Sequence, residues 1–454
     1  MAVDRSAQAW AQRLVDPGSW TPWHEAGGRA MCGCADDNEI RTGRARVDGV
    51  SAAIIVVGFR NGVATLSAHV ATQVAAAFER ARAEELPVVA VAASGGVRLQ
   101  EGTRTFVALA GVAAAVTQHR EAGLLFFCYL ADPTTGGAIV SWAGLAAVRA
   151  AEPGALIAFT GPRVVELMTG RSMPSGACTA ESMLHNGLVD AVVSPESLRG
   201  FVSALLRGTV AGDRPLPVRA PDPAPTVAID AWEAVQRTRD PDRPGLREFV
   251  AHLDDPIELH GDGLGAGDDP AVLAIIGRLY GRKVVVVGHD RSAGPERAEV
   301  TPSGMRKSAR AIELATRLDL PLVSVVDTPG PRLDAASEAA GIGFHLAAAL
   351  ADRARTTAPL VSVLLGEGGG GAALAFLPAH YTIAAASAWL APMSPEGSSA
   401  VLHRSTDQAA AVAADQHITS TDLVAMGVVD LVVTEDGEWM DHLVAAVAAA
   451  ITPD

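Results

Sequence analysis

The chain has 454 residues, 49% apolar and 19% charged, which gives room for two to four domains with sizeable cores and is too apolar for a disordered chain. Lys plus Arg number 36 against 51 Asp plus Glu, a net charge of −15 that excludes a general nucleic-acid binder, since that task needs broad positive charge. Only Lys283 and Lys307 are lysines, so Lys-based chemistry has two candidates.

Residues 1–10 are polar and show no basic flank ahead of an apolar core, so no secretory signal is expected. The most apolar short run, 123–131, is far too short to cross a bilayer. Cysteines at 32, 34, 128 and 178 predict a reducing compartment without a disulfide framework. These readings together predict a cytoplasmic chain with no membrane and no nucleic-acid partner.

In chain order, IIVVG at 54–58 predicts a strand, 69–86 a helix, and 88–92 a second strand that runs into Ser94, Gly95 and Gly96. Gly136 and Gly137 follow the next apolar run and precede a helix-like stretch. Residues 209–228 are rich in proline and lack periodic apolar structure, the best linker in the chain. Beyond it the landmarks return in the same order, at offsets of 230 to 240 residues. VVVVG stands at 284–288, a helix is expected over 304–318 and a strand over 322–326, and the strand leads to Gly330. Gly370 and Gly371 match Gly136 and Gly137, and GVVD at 427–430 matches GLVD at 187–190. This order predicts an internal duplication, with domains over 51–208 and 231–454 joined by a linker over 209–230. Alternating strands and helices predict an α/β fold with parallel strands, and the continuously apolar strands predict helices on both sheet faces.

Glycine pairs at strand ends permit positive φ and close backbone approach, and the N–H groups of the following helix can hold an anion. Two such loops side by side would form an oxyanion hole for a carbonyl that gains charge. A lone glycine pair is usually just a tight turn, but here both loops occur in both halves. The chain has no GxGxxG after the first strand, no GxxxxGK[ST] and no GxSxG, so Rossmann, P-loop and serine-hydrolase readings lack support.

These residues also carry a family resemblance. LPVVAVAASGGVRLQE at 86–101 resembles the SGGAR-x-QE motif of the beta subunit of the bacterial acetyl-CoA carboxylase carboxyltransferase. DPTTGG at 132–137, AEP at 151–153 and FTGPRV at 159–164 resemble further segments of that subunit. DRP at 242–244, ELHGD at 258–262, RKSA at 306–309, DTPG at 327–330, GEGG at 366–369 and SPEG at 394–397 resemble the alpha subunit. The resemblance covers roughly residues 50–435 and implies two tandem crotonase-type (ClpP/crotonase) domains, beta-like then alpha-like, fused in one chain.

The resemblance implies transfer of a carboxyl group from carboxybiotin on a carrier protein to the α-carbon of an acyl-CoA, of the acetyl-CoA to malonyl-CoA type. It also implies a biotin carboxyl carrier protein and a biotin carboxylase subunit as partners, and a homodimer or higher homo-oligomer. The catalytic candidates are the backbone at Gly95, Gly96, Gly136, Gly137, Gly370, Gly371 and Ala372, one glycine pair for the thioester enolate and another for the biotin ureido oxygen. The freed biotin nitrogen is then a plausible base, so no protein base is needed. Arg98, Arg163, Gly330, Arg306 and Lys307 are the candidates for binding the CoA ester.

The sequence departs from this pattern in three places. Residues 1–50 hold only Cys32 and Cys34 where the beta subunit carries a four-cysteine zinc ribbon, so no zinc is expected. PRLDAASE at 331–338 replaces a glycine-rich stretch, and Ala372 replaces a glycine. Two other readings remain: a biotin-independent malonyl-thioester decarboxylase like the malonate decarboxylase beta and gamma subunits, and a non-catalytic CoA-ester-binding or scaffold subunit.

Overall fold

In the computed structural model, residues 4–23, 40–58, 65–218, 228–293 and 299–451 are described. The chain divides into two compact units, residues 1–211 with 263–265 and residues 212–262 with 266–454.

Unit 1 is built on eight strands: β1 (Thr21–Pro22), β2 (Ile40–Val47), β3 (Val50–Val57), β4 (Val88–Ser94), β5 (Phe126–Thr135), β6 (Val148–Ala151), β7 (Ile157–Ala158) and β8 (Ala191–Val192). Their order is β1-β2-β3-β4-β5-β6-β8, with β7 pairing on β5. From β3 onward every pairing is parallel, whereas β2 and β3 form an antiparallel hairpin. Asp48 (φ 50°) and Gly49 (φ 81°) turn that hairpin, and both N–H groups donate to the Asp16 carboxylate at 2.9 Å. β2 lies upstream of the domain start expected at residue 51; its alternating exposed arginines hide a strand that pairs along its whole length. The helix Ala7–Leu14, with Trp10 and Leu14 fully buried, also belongs to this unit.

Helices Ala68–Ala83 and Thr103–Glu121 cover the sheet. The first is capped by Ser67, whose hydroxyl accepts from Val70 N–H at 3.1 Å, and its Phe78 meets Phe126 of β5 edge-on at 4.9 Å. β4 is buried at every position, as expected for a central parallel strand.

Unit 2 repeats the plan with β9 (Asp254–Glu258), β10 (Val272–Leu279), β11 (Arg282–His289), β12 (Leu322–Thr328), β13 (Leu360–Gly369), β14 (Tyr381–Ala385), β15 (Trp389–Ala391) and β16 (Leu431–Val433). The order β9-β10-β11-β12-β13-β14-β16, with β15 on β13, matches unit 1 strand for strand. Its antiparallel hairpin β10–β11 also turns on two positive-φ residues, Tyr280 (φ 47°) and Gly281 (φ 76°). The fold is α/β, with two similar mixed sheets from a duplication. Residues 212–218, inside the Pro-rich stretch, run beside this turn: Arg214 and Leu216 donate to the carbonyls of Gly281 and Tyr280.

Candidate active site

In unit 1 two strand ends meet. β4 delivers Ser94, Gly95 and Gly96; β5 delivers Thr135 and Gly136, and Gly137 opens the helix Gly137–Ser141. The β4–β5 ladder slips here: Ala92 faces Leu130, but Ser94 faces Thr134, so 131–133 bulge from β5. The Thr134 hydroxyl fills the gap, 2.6 Å from Ala92 O and 2.7 Å from Ala131 O. Ser94 Oγ accepts from Gly96 N–H at 3.2 Å and closes the first glycine turn. Gly96 (φ 111°) and Gly136 (φ 58°) need a conformation that side chains disfavour, and a Cβ on Gly136 would lie 3.2 Å from Gly96 Cα. The two loops are therefore in backbone contact. No side chain caps the helix Gly137–Ser141, leaving its first N–H groups available to a ligand anion.

Unit 2 reproduces this arrangement. β12 and β13 slip at the same point, from Val326–Leu364 to Thr328–Gly368. Thr328 Oγ1 takes the place of Ser94 and accepts from Gly330 N–H at 3.1 Å. Gly330 (φ 139°) and Gly370 (φ 63°) take the places of Gly96 and Gly136. A Cβ on Gly330 would sit 3.5 Å from Gly369 O, so these loops touch too. The helix Gly370–Phe376, which contains Gly371 and Ala372, likewise has no side-chain cap. Ala372 is fully buried, so its methyl group points into the protein and away from solvent.

The charged candidates fall into three groups. Arg98 is half-buried, its Nε 3.0 Å from Thr65 Oγ1 and its Nη1 3.7 Å from Glu101. Its N–H donates to Leu66 O, whose residue in turn donates to Gly96 O. Arg332 occupies the same place in unit 2, with Val300 and Gly330 in the corresponding bonds. Sequence reading passed over Arg332, although its offset from Arg98 is the 234 residues that relates the glycine pairs. Arg163 is exposed on the helix Pro162–Thr169, which buries no residue.

Arg306 and Lys307 differ from each other. Arg306 pairs with Asp262 at 2.9 Å and approaches His345 Nε2 at 3.2 Å. Lys307 is 1% exposed, its Nζ 2.9 Å from Asp268 Oδ1. Burial opposes ionisation of Asp268, but His260, Lys307 and Gly261 N–H together hold its carboxyl down to about 2. Lys307 therefore sits beneath the surface, not on a cationic rim for CoA. Long-range burial of this kind has no mark in the local sequence.

Asp327 and His289 lie just behind the second cradle. Burial pushes the Asp327 carboxyl up to about 6 against the opposing Arg291 and Arg243. Burial also pushes His289 down to about 3, so it is neutral, and its Nδ1 accepts from Asp327 N–H at 3.4 Å. With His289 fully buried and Lys307 paired, neither offers a base to a ligand in the cradle. Among the described residues no group of three or more His, Cys, Asp or Glu is arranged to hold a metal. The expectation about zinc concerns Cys32 and Cys34, which lie outside the described residues.

Comparison with known proteins agrees with this geometry. Residues 225–452 match the family described as acetyl co-enzyme A carboxylase carboxyltransferase-like. A probable biotin-dependent acyl-coenzyme A carboxylase beta3 subunit from Mycobacterium tuberculosis is 42% identical over 446 residues, 94% of this chain and 89% of the relative. The acetyl-coenzyme A carboxylase carboxyl transferase subunits beta/alpha of Salinispora arenicola are 37% identical, over 98% of this chain and 85% of theirs. The fold is that of transcarboxylase 12S, a hexamer solved with hydrolysed methylmalonyl-coenzyme A, at TM-score 0.80 and 22% identity over 98% of this chain and 89% of that one. Two crotonase-type units are thus present, and the chain belongs to the carboxyltransferase subunits of biotin-dependent acyl-CoA carboxylases, of the type that fuses beta-like and alpha-like parts.

Proposed function

We propose that the two cradles divide the transfer. The unit 1 cradle, at Gly95, Gly96, Gly136 and Gly137, takes the thioester carbonyl of an acyl-CoA. The unit 2 cradle, at Gly330, Gly370, Gly371 and Ala372, takes the ureido oxygen of a biotin presented by a carrier protein. The observation that carries this reading is the duplication itself: the same hydroxyl-closed turn and the same uncapped helix start occur in both units. Each would stabilise negative charge on an oxygen through backbone N–H groups, and the reaction has two such oxygens.

Close packing within each cradle accounts for two of its glycines. A Cβ would lie 2.7 Å from Val97 Cγ2 at Gly137, and 2.0 Å from Pro329 O at Gly369. In both places the space for a side chain is already filled by protein atoms, which lets the two loops of each cradle close on one another. Carboxybiotin supplies the carboxyl group when bound. The protein's residues hold the two oxygens and bring in the charged ester, with Arg98 and Arg332 beside the two glycine turns and Arg163 and Arg306 within the motifs as the candidate cations.

In this reading the biotin carrier and the biotin carboxylase are separate partners, the site of action is the cytoplasm, and the subunit works as a homodimer or larger. Apolar side chains left exposed on both units support the assembly: Phe159, Leu167 and Met168 in unit 1, Phe344, Val401 and Leu402 in unit 2. The test is to supply carrier protein loaded with labelled carboxybiotin together with acetyl- or propionyl-CoA. Label in the acyl-CoA product supports carboxyl transfer. Release of CO₂ from a malonyl thioester without any biotin would instead establish the decarboxylase, and neither reaction would leave a binding subunit.

A further inference from the structure

We infer that Arg5 in unit 1 and Arg243 in unit 2 are equivalent positioning residues, each fixing the strand bulge that feeds the glycine-led helix of its own unit. The inference rests on the divided-cradle reading above, and concerns how the cradles are held.

The bulges create the need. Where β5 leaves its ladder at 131–133, the backbone groups of Asp132 lose β4 as a partner. Arg5 and Glu152 replace it. Arg5 Nη1 donates to Asp132 O at 2.5 Å and to Asp132 Oδ2 at 2.8 Å, and its Nη2 donates to Glu152 Oε1 at 2.8 Å. Glu152 Oε2 accepts from Asp132 N–H at 2.9 Å. One ion pair thus satisfies both the N–H and the C=O of the bulged residue. Asp132 Oδ1 accepts from Leu156 N–H at 2.9 Å, which ties the bulge to the approach of β7. Gly136 and Gly137 follow a few residues on.

The bulge of β13 is braced by groups of the same kinds, spread over two of its residues and not gathered on one. Arg243 Nη2 donates to Leu365 O at 2.7 Å and pairs with Glu435 Oε1 at 2.7 Å. The nearby N–H of Glu367 donates to Asp327 Oδ1 at 3.0 Å. Glu435 is in turn held by Ser387, whose N–H and hydroxyl reach it at 3.1 and 2.7 Å. In both units a guanidinium takes the bulge carbonyl and a carboxylate takes a bulge N–H. The carboxylate comes from beyond β6 in unit 1 and from β12 in unit 2, so the arrangement persists although its sequence does not.

The two arginines also reach their places equivalently. Each precedes a short helix, Ala7–Leu14 or Leu246–Val250, that packs on a glycine of the corresponding strand. A Cβ on Gly58 would lie 2.3 Å from Ala7 N, and one on Gly288 would lie 3.1 Å from Leu246 Cδ2. The duplication therefore includes the helix at the start of unit 1, upstream of every motif that repeats in the sequence.

The experiment uses Arg5→Met and Arg243→Met in the full chain, with two readouts. Amide hydrogen exchange followed by mass spectrometry should show faster exchange over 132–138 in Arg5→Met and over 365–372 in Arg243→Met, each confined to its own bulge and helix start. In the half-reactions, Arg5→Met should slow α-proton exchange of the acyl-CoA, with imidazole buffer supplied as the proton acceptor, by roughly 10–100-fold through kcat, with KM within about twofold. Arg243→Met should instead slow decarboxylation of free carboxybiotin. The Lys variants, which keep the charge but not the fork, should recover part of each rate and stand in if the Met variants do not fold. Unchanged exchange at the bulges, or equal slowing of both half-reactions by both variants, would overturn the inference. If the unmodified protein performs neither half-reaction, the divided-cradle reading fails, and the exchange pattern alone then decides whether the arginines position the bulges.

Discussion

Gly369 has φ −90°, a conformation open to any residue, yet a Cβ there would lie 2.0 Å from Pro329 O and 2.5 Å from its carbonyl carbon. The requirement for glycine is steric and set by backbone, which cannot swing aside. Gly369→Ala should therefore destabilise unit 2 by roughly 1–3 kcal/mol in denaturant titrations and distort the second cradle, leaving the first intact. Asp327, a few residues upstream on β12, makes a different prediction. Burial raises its folded pKa to about 6, above the unfolded value of about 3.9, so the folded state takes up a proton more readily. Its contribution to stability is therefore greatest below about pH 4 and is lost as pH rises through 6. Relative to Asp327→Asn, the unmodified protein should gain roughly 2–3 kcal/mol of stability between pH 7 and pH 4, read from unfolding midpoints of both proteins. An unchanged difference would mean that Arg291 and Arg243 keep the carboxyl ionised. Arg332 and Lys307 mark the range of what a residue's sequence context conveys. Arg332 was recoverable from a repeat offset, whereas the burial of Lys307 against Asp268 depends on a contact 39 residues away.

The hairpins β2–β3 and β10–β11 share a turn geometry but not its surroundings. Around Gly49 a Cβ would meet nothing within 4 Å, whereas at Gly281 it would lie 2.0 Å from Arg214 O. Gly49→Ala should cost only the positive-φ strain, about 1 kcal/mol, and Gly281→Ala clearly more, in parallel thermal or denaturant unfolding. In the hydrophobic layer, Phe78→Ala should cost about 3–5 kcal/mol, because the ring is fully buried between His119 and Phe126. The elements that the sequence made legible are the strands ending at Ser94 and Thr328, which are continuous apolar runs, and the helices that precede them, in which apolar and charged residues alternate at helical spacing. Those it concealed have other signatures. β2 reads IRTGRARV, and its arginines mask a strand whose partner face is buried; Asp48-Gly49 was the available hairpin signal. The bulges at 131–133 and 365–367 left no periodic trace, since they are irregularities by nature, and so the bracing by Arg5 and Arg243 emerged only with the structure. The glycine loops were legible because a chain that must bring backbone against backbone has only one residue to use.

Across the molecule the duplication extends to what is left exposed. Val140 on the first glycine-led helix and Leu374 on the second are separated by the same 234 residues as the glycine pairs, and stand 57% and 49% exposed. Met168 on one unit and Phe344 on the other are exposed as well, and exposed apolar side chains of this kind suit contact between copies of the chain. Light scattering at micromolar concentration should give a dimer or larger, and Met168→Glu with Phe344→Glu should shift it toward monomer. A monomer in the unmodified protein would contradict the assembly. The division of labour between the cradles is tested most directly by removing one helix N–H donor at a time and following both half-reactions. Gly137→Pro, combined with Val97→Ala to clear the contact that a Cβ would make at 2.7 Å, removes the donor in unit 1; Gly371→Pro, which meets only the flexible Leu346 side chain at 2.9 Å, removes it in unit 2. With imidazole buffer supplied as the proton acceptor, the first variant should lose on the order of 10²–10³ in kcat for α-proton exchange of acyl-CoA, measured against Val97→Ala alone, and the second should lose as much for decarboxylation of free carboxybiotin, with the other half-reaction near normal in each. Two folded variants that both retain full carboxyl transfer would contradict it.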